Sequence, residues 1–447
     1  MNEMHMGVIM KKRMICLSAS VFLLALSGCG KENLPNTYIE GSDFQYMRQG
    51  SWDWAPKMQK GEKGYYFRQD EFVYYLDEGT GEFLPLCAKA DCLHDRETDP
   101  ARRKSCNAYM HFAEFSSDFS QGMMYYDRYL YCLTDKGFNE ETILYRLSED
   151  GAKKEQIYRW TGVGIEEWVI HRGVFYYAEH FYTYDEEGEM EEHYALKALN
   201  LTGAIKEPET IYALEEENVF YLGFNWFKSY GNYLYFIVSG GEDKGEGELS
   251  GYEKTFIYDI AGHEVKQLTY DGMPEEEDIM GVTFWQDRIL FMPIIWDVDD
   301  MKGSYLRTGN VYFADPDGSN IEILMENVPT GYHLLSDGRY LYLTNSFMVT
   351  MGDLGLMDYN EVKTFWVYDE SLTLVDTFVL PDEINFYGNS SIIVNFFGDP
   401  PIGDAEWMFI IYRDDNDGWG VLRFDKSKIG SYHGSEIELT VIPYNQE

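Results

Sequence analysis

Tyr340-Leu341-Tyr342-Leu343 and, further on, Phe365-Trp366-Val367-Tyr368-Asp369 form a pair of short β-rich runs, the second ending at an acidic turn. Aromatic and β-branched side chains suit a pleated, packed surface, whereas Asp, Gly and Pro supply the dihedrals of turns. The pair recurs along the chain. First runs stand at Gly64-Tyr65-Tyr66-Phe67, Met123-Met124-Tyr125-Tyr126, Val174-Phe175-Tyr176-Tyr177, Tyr233-Leu234-Tyr235-Phe236, Ile289-Leu290-Phe291-Met292 and Trp407-Met408-Phe409-Ile410. Second runs include Phe72-Val73-Tyr74-Tyr75-Leu76-Asp77, Ile143-Leu144-Tyr145-Arg146-Leu147, Phe256-Ile257-Tyr258-Asp259 and Val421-Leu422-Arg423-Phe424-Asp425. The copies lie about 50 to 68 residues apart, and a third apolar segment often follows, such as Ile321 to Met325 after Asp315-Pro316-Asp317-Gly318. A period of that size with three or four strands per unit predicts a β-propeller, whose blades bury each other's faces. A sandwich or a stack of immunoglobulin-like domains lacks such a blade-sized repetition. The expected fold is all-β, a β-propeller of about seven four-stranded blades. Glu436–Pro443 and the segment Thr37–Met47 are candidates to share a blade and lock the ring.

The composition fits that core. The 447 residues are 45% hydrophobic and include 37 Tyr, 27 Phe and 10 Trp, which excludes a disordered chain. The formal net charge is −41, so binding of nucleic acid through basic contacts is excluded, as is adsorption of the folded part to anionic lipid.

Residues ahead of the repeats read as an address. Lys11-Lys12-Arg13 precede an apolar run from Met14 to Leu26 that ends in Leu26-Ser27-Gly28-Cys29. The run is too short to span ~30 Å of hydrocarbon and has the plan of a secretory signal. Its end resembles the bacterial lipobox, in which the cysteine thiol receives a diacylglyceryl group and becomes the new N-terminus. The expected organisation is a lipoprotein signal peptide over 1–28, a lipidated tether over 29–37 and a single propeller domain over 38–447. Acyl chains on Cys29, each buried CH₂ contributing roughly 0.8 kcal/mol, would hold the protein on the outer side of the bacterial cell membrane without a transmembrane helix.

One segment has ligand-like spacing. Cys87, Cys92, His94 and Cys106 stand as C-x4-C-x-H-x11-C, and three thiols with one imidazole suit a structural tetrahedral Zn²⁺ site. Disulfides are the competing reading, because an exported protein meets oxidising conditions and Cys132 brings the mature thiols other than Cys29 to an even number. A strictly anaerobic compartment would favour metal. Either way the segment falls where the first blade hands over to the second, and it would staple a long connection.

Other candidates are weaker. The acidic runs at 185–189, 215–217, 275–278, 297–300 and 414–418 lack EF-hand spacing and read as solvated turns. G-x-S-x-G, H-E-x-x-H and P-loop patterns do not occur, and Gly430-Ser431-Tyr432-His433-Gly434 reads as a polar loop. Trp52, Trp54, Trp160, Trp168, Trp226, Trp285, Trp296 and Trp419 would each serve either inter-blade packing or ligand stacking, with packing the default.

The lipobox, the Tyr-Leu-Tyr strands and the segment Pro85-Leu86-Cys87 to Asp91-Cys92-Leu93-His94 and Cys106-Asn107-Ala108 together resemble β-propeller lipoproteins of Firmicutes of the TolB-like kind. That resemblance implies fold and location and carries no assigned reaction. The expected function is a non-catalytic binding module at the cell surface, with a peptide, glycan or envelope protein as ligand. The alternatives are an exported carbohydrate-active hydrolase or lyase with carboxylates in the central pocket, and a scaffold for envelope complexes.

Overall fold

A computed structural model describes residues 35–39, 43 and 57–444, apart from stretches of which the longest are 112–121, 298–303, 345–363, 386–391 and 395–401. The leader, Cys29, Trp52 and Trp54 lie outside the described residues, as does the side chain of Trp296. Seven blades follow one another along the chain, antiparallel except for the short strand Ile384–Asn385, which pairs in parallel with Ile392–Val394 at the inner edge of blade 7. In order from inner to outer strand, blade 1 is Met58–Lys60, Tyr65–Gln69, Phe72–Asp77 and Glu82–Pro85, and blade 2 is Met123–Tyr126, Tyr129–Asp135, Glu141–Ser148 and Lys154–Thr161. Blade 3 is Gly164–His171, Val174–Tyr184, Met190–Asn200 and Glu209–Leu214; blade 4 is Val219–Tyr230, Tyr233–Gly245, Glu248–Asp259 and Glu264–Gln267. Blade 5 runs from Thr283–Trp285 through Arg288–Phe291 and Val311–Ala314 to Glu322–Met325, and blade 6 from His333–Ser336 through Leu341–Thr344 and Thr364–Tyr368 to Leu374–Val379. Blade 7 is Ile392–Val394, Trp407–Arg413, Trp419–Asp425 and Leu439–Pro443. A small sheet of Glu277–Ile279, Pro293–Asp297 and Ser304–Arg307 extends blade 5. Among the described residues no helix is long and apolar enough to cross a membrane.

The quoted runs are the second and third strands of each blade, with one exception. Met123-Met124-Tyr125-Tyr126 is the inner strand of blade 2, and the true counterpart is Tyr129-Leu130-Tyr131-Cys132. Two aromatic runs separated only by the turn Asp127-Arg128, both at positive φ, make that register ambiguous in sequence.

Such strands are apolar on both faces because each blade is sandwiched. Side chains alternate between faces. Tyr65 and Phe67 pack toward blade 7 with Phe409, Ile411 and Trp419, while Tyr66 packs toward blade 2 with Met123, Leu130 and Leu147. Leu234 and Phe236 meet blade 3, and Tyr235 and Ile237 meet Ile289 and Phe291 of blade 5. Blades 5 and 6 meet through Leu290 and Leu341, and blades 6 and 7 through Tyr342 and Ile410. Every neighbouring pair therefore shares a buried cluster, and the seam between blades 7 and 1 is no exception.

The closure expected from sequence is corrected. Leu439–Pro443 does form the outer strand of blade 7, beside Trp419–Asp425. The described residues of the segment Thr37–Met47 instead dock on blades 3 and 4, where Arg172 Nη2 donates to the Thr37 carbonyl at 3.0 Å. The 7–1 seam holds by packing, with Phe67 stacked on Trp419 at 4.7 Å, and by Asp404, which accepts from both Lys60 and Tyr65.

Among the described residues, blades 3 and 4 have the longest single central strands. Their central strands run 11 to 13 residues against 4 to 6 in blades 1 and 6. Tyr252 lies over Gly240 in the blade 4 hairpin, so the aromatic ring fills a position where a Cβ would collide with it.

Candidate metal centre

The cysteine segment is an excursion from the outer edge of blade 1. Leu86 N–H donates to the Val73 carbonyl at 2.9 Å as the chain leaves, and Val73 N–H donates to Ala108 at 2.9 Å where it returns. Tyr109 then bridges Phe72. Both ends of the excursion are thus tied to one strand, Phe72–Asp77.

Between them the chain forms a one-turn 3₁₀ helix, His94–Arg96, and a short α-helix, Pro100–Ser105. Asp99 caps the α-helix, its carboxylate accepting from Ala101 and Arg102 N–H, and Pro100 takes the first position, where no N–H is needed. The helix ends at Cys106. His94 has φ 56°, a left-handed conformation that non-glycine residues seldom adopt but that histidine tolerates better than most.

These turns bring the four predicted residues together. One ligand atom each from Cys87, Cys92, His94 and Cys106 lies within 4.8 Å of all the others. Cys106 Sγ is 3.7 Å from His94 Nδ1. With Zn–S bonds near 2.3 Å, the edge of a tetrahedral site is about 3.8 Å; the Cys106–His94 separation matches it, and the other donor pairs lie no farther apart than 4.8 Å. Cys106 is buried and the other three are half-buried.

The electrostatics favour a thiolate at one position. Burial opposes ionisation of Cys87, but the N–H groups of Lys89 and Asn107 and the thiols of Cys106 and Cys92 bond to its sulfur and together draw its pKa down. Burial, with the neighbouring Cys92 and Cys87, pushes the Cys106 thiol far up. Burial also lowers the pKa of His94, which keeps its imidazole neutral and able to ligate. The cluster without metal therefore holds protons that an ion would displace.

The surroundings tie three blades to the cluster. Asn107 Nδ2 donates to the carbonyls of Gly151 at 2.8 Å and Ala152 at 3.1 Å in blade 2, and Ala88 N–H reaches Gly151 at 3.2 Å. Gly151 has φ 65°, and a Cβ there would stand 2.6–2.7 Å from the Leu86 and Cys87 backbone. Asp95 accepts from Tyr444, which follows the last strand of blade 7, and from Tyr74 of blade 1 at 3.4 Å.

No disulfide joins Cys87, Cys92, Cys106 and Cys132 in this structure. Cys132 stands apart, buried in blade 2 among Met123, Leu130 and Leu147, with its pKa raised by burial. Nothing in the spacing revealed Asp95, Asn107 and Gly151 as supports, because their partners are distant in sequence; only the Asp99-Pro100 helix start was locally encoded.

Among the other candidates, Trp160, Trp168, Trp226, Trp285 and Trp419 are all buried between blades, as packing requires. The Gly430–Gly434 loop is pinned by Asp376, whose carboxylate accepts from the N–H groups of Gly430, Tyr432 and His433; these bonds outweigh burial and lower its pKa. Asp414 accepts from Gly418 N–H at 2.8 Å, a tight turn. The acidic runs at 185–189, 215–217 and 298–300 lie outside the described residues. Glu253 and Asp278 form a buried carboxylate pair, Glu253 N–H donating to Asp278 Oδ2 at 3.0 Å; burial, aided by Asp278, raises the Glu253 pKa to about 8.

No protein-family model and no curated protein sequence matches the chain. Solved structures with a similar fold include a prolyl endopeptidase (13% identity over 90% of this chain and 50% of that one, TM-score 0.45). A puromycin-hydrolysing peptidase of Mycobacterium tuberculosis is also similar (12%, 92% and 56%, TM-score 0.42), as is an oligogalacturonate lyase of Vibrio parahaemolyticus (15%, 87% and 88%, TM-score 0.42). The chain spans about half the length of the two peptidases. Likeness at this level carries no activity across.

Proposed function

We propose that this protein is an extracytoplasmic, lipid-anchored β-propeller that acts as a non-catalytic binding module, with a zinc ion on Cys87, Cys92, His94 and Cys106 as a structural staple. The observation that carries the binding role is the height of blades 3 and 4. Among the described residues their central strands run 11 to 13 residues as single strands and end in hairpins, beside the blade 5 hairpin extended by Pro293–Asp297 and Ser304–Arg307, while the ring behind them is packed continuously. Long hairpins on a rigid base present a preorganised surface, which lowers the ordering cost of binding a peptide, glycan or envelope protein. The zinc would supply no reaction here: four protein ligands close its coordination, so its contribution is to hold the loop.

The test uses the soluble form beginning at Gly30 and a variant in which residues 241–251 are replaced by a two-residue Asn-Gly turn. Both are applied to arrays of cell-wall glycans and envelope peptides. Binding by the parent and its loss in the variant is the expected result. Equal binding by both would overturn the hairpin assignment, and cleavage of an arrayed glycan would favour the hydrolase or lyase reading.

A further inference from the structure

We infer that the ring face formed by the turns between first and second strands of blades 3 and 4 is the side that lies toward the membrane, held so by a clamp on the N-terminal segment. The inference rests on the lipidation of Cys29 proposed above. Its structural part is a set of contacts that residues 36–39 and 43 make with two blades far from them in sequence.

The centre of the clamp is Asp43. Its carboxylate is sealed, with 1% of the side chain exposed, and accepts a fork from Arg172: Nε to Oδ1 at 2.7 Å and Nη2 to Oδ2 at 2.9 Å. Ile39 N–H donates to the same carboxylate at 2.8 Å, and the ring of His171 lies 3.8 Å away. Arg172 continues outward, with Nη2 to the Thr37 carbonyl at 3.0 Å and Nη1 to Asn232 Oδ1 at 3.0 Å. Asn232 N–H in turn donates to Asn36 Oδ1 at 3.2 Å. Gly231, at φ 58°, lies so close to Asn36 that a Cβ would stand 2.8 Å from its side-chain oxygen. A buried two-point Arg–carboxylate bond fixes direction as well as position.

Arg172–Gly173 and Gly231–Asn232 are the turns from which the tall second strands start. Val174–Tyr184 has 11 residues and Tyr233–Gly245 has 13, so at ~3.3 Å per residue the hairpin ends lie about 36 and 43 Å from the clamp. The chain from Cys29 to Pro35 reaches at most about 20 Å when fully extended. A ring inverted so that the hairpins met the lipid would lift the clamp beyond that reach. The clamp face is therefore near the bilayer, the hairpins point outward, and a net charge of −41 opposes any closer approach to anionic lipid.

The experiment places the full-length lipidated protein in phosphatidylcholine vesicles that carry a rhodamine-labelled lipid. A donor dye is attached through a short peptide tag inserted at one of two sites. The first lies between Thr202 and Gly203, beside Gly173 on the clamp face. The second lies between Glu246 and Gly247, in the connection that joins strand Tyr233–Gly245 to strand Glu248–Asp259. Energy transfer to the surface should be at least twofold greater from the first site. Equal transfer or the reverse order would overturn the orientation. Arg172→Ala and Asp43→Asn should each reduce the difference; if it persists in both, the clamp is not what sets it. Cys29→Ser should leave the protein in the supernatant, and retention of that variant on vesicles would overturn the lipid anchor instead, whatever the dye result.

Discussion

Tyr444 donates its hydroxyl to Asp95, a residue 349 positions earlier that directly follows His94 of the cysteine cluster. The same hydroxyl lies 3.2 Å from that of Tyr74, and the Tyr444 ring stacks on Trp419 at 4.2 Å. Blade 7 takes no strand from the N-terminal segment among the described residues, so these contacts join the two ends of the ring where many propellers would share a blade. The cysteine–histidine cluster is thus part of the closure, tied to blade 1 through Phe72–Asp77, to blade 2 through Gly151 and to blade 7 through Asp95.

Metal content follows from the donor geometry. Protein purified under nitrogen without reductant or chelator should carry about one equivalent of zinc by mass spectrometry, and Cys87→Ser or His94→Ala should lose it. Chelation should lower the melting temperature by on the order of 5–10 °C, since a closed site binds the folded chain and not the unfolded one. Protein with neither metal nor titratable thiols would instead identify disulfides.

The seam contact should be coupled to the metal. Tyr444→Phe removes one bond to a partly exposed carboxylate and should cost about 1 kcal/mol in the metal-loaded protein. In the chelated protein the cost should fall, because Asp95 is then no longer held by the neighbouring His94. A calorimetric cycle of Tyr444→Phe against chelation measures this; additive effects would show that the seam and the cluster act independently.

What the sequence made legible was whatever is written locally. The runs around Tyr235 and Tyr342 carry apolar residues on both faces because each blade is covered twice, and that signature repeats. Cys87 to Cys106 are close in the chain, so their ligand spacing was readable as well. Ring closure was not, because Trp419, Phe67 and Tyr444 meet across nearly the whole chain and no local pattern distinguishes packing from strand sharing. The Asp43–Arg172 clamp was hidden for the same reason. The Met123–Tyr126 run was misplaced by one strand because its neighbour across the turn at Asp127 is equally aromatic.

Glu253 gives a pH signature. Burial raises its folded pKa to about 8 from an ordinary value of 4.5, so the folded state prefers the neutral acid. The stability this contributes is complete below about pH 4.5 and is lost as pH rises toward 8, where the unfolded chain is ionised and the folded one must follow. Glu253→Gln, which keeps shape and hydrogen bonding without the charge, should therefore stabilise at pH 8 by on the order of 1–3 kcal/mol and have little effect near pH 4. Denaturant melts at the two pH values check it, and an equal effect at both would show that the carboxyl is not neutral in the fold.

The seam between blades 6 and 7 offers a charge test. Lys426 donates to Asp337, with 0% and 1% of the two side chains exposed, and Tyr342 donates to the same carboxylate oxygen at 2.7 Å. Two buried charges taken out of water return that cost only as a pair, so removing one leaves the other stranded. Lys426→Met should destabilise by about 3–5 kcal/mol, enough to open the seam before the rest of the ring, while Lys426→Met combined with Asp337→Asn should recover a large part of the loss. Hydrogen exchange read strand by strand separates the outcomes: early exchange confined to Leu341–Thr344 and Trp419–Asp425 places the weakness at this seam, whereas uniform exchange would mean that the ring unfolds as one unit and that the pair supports it globally.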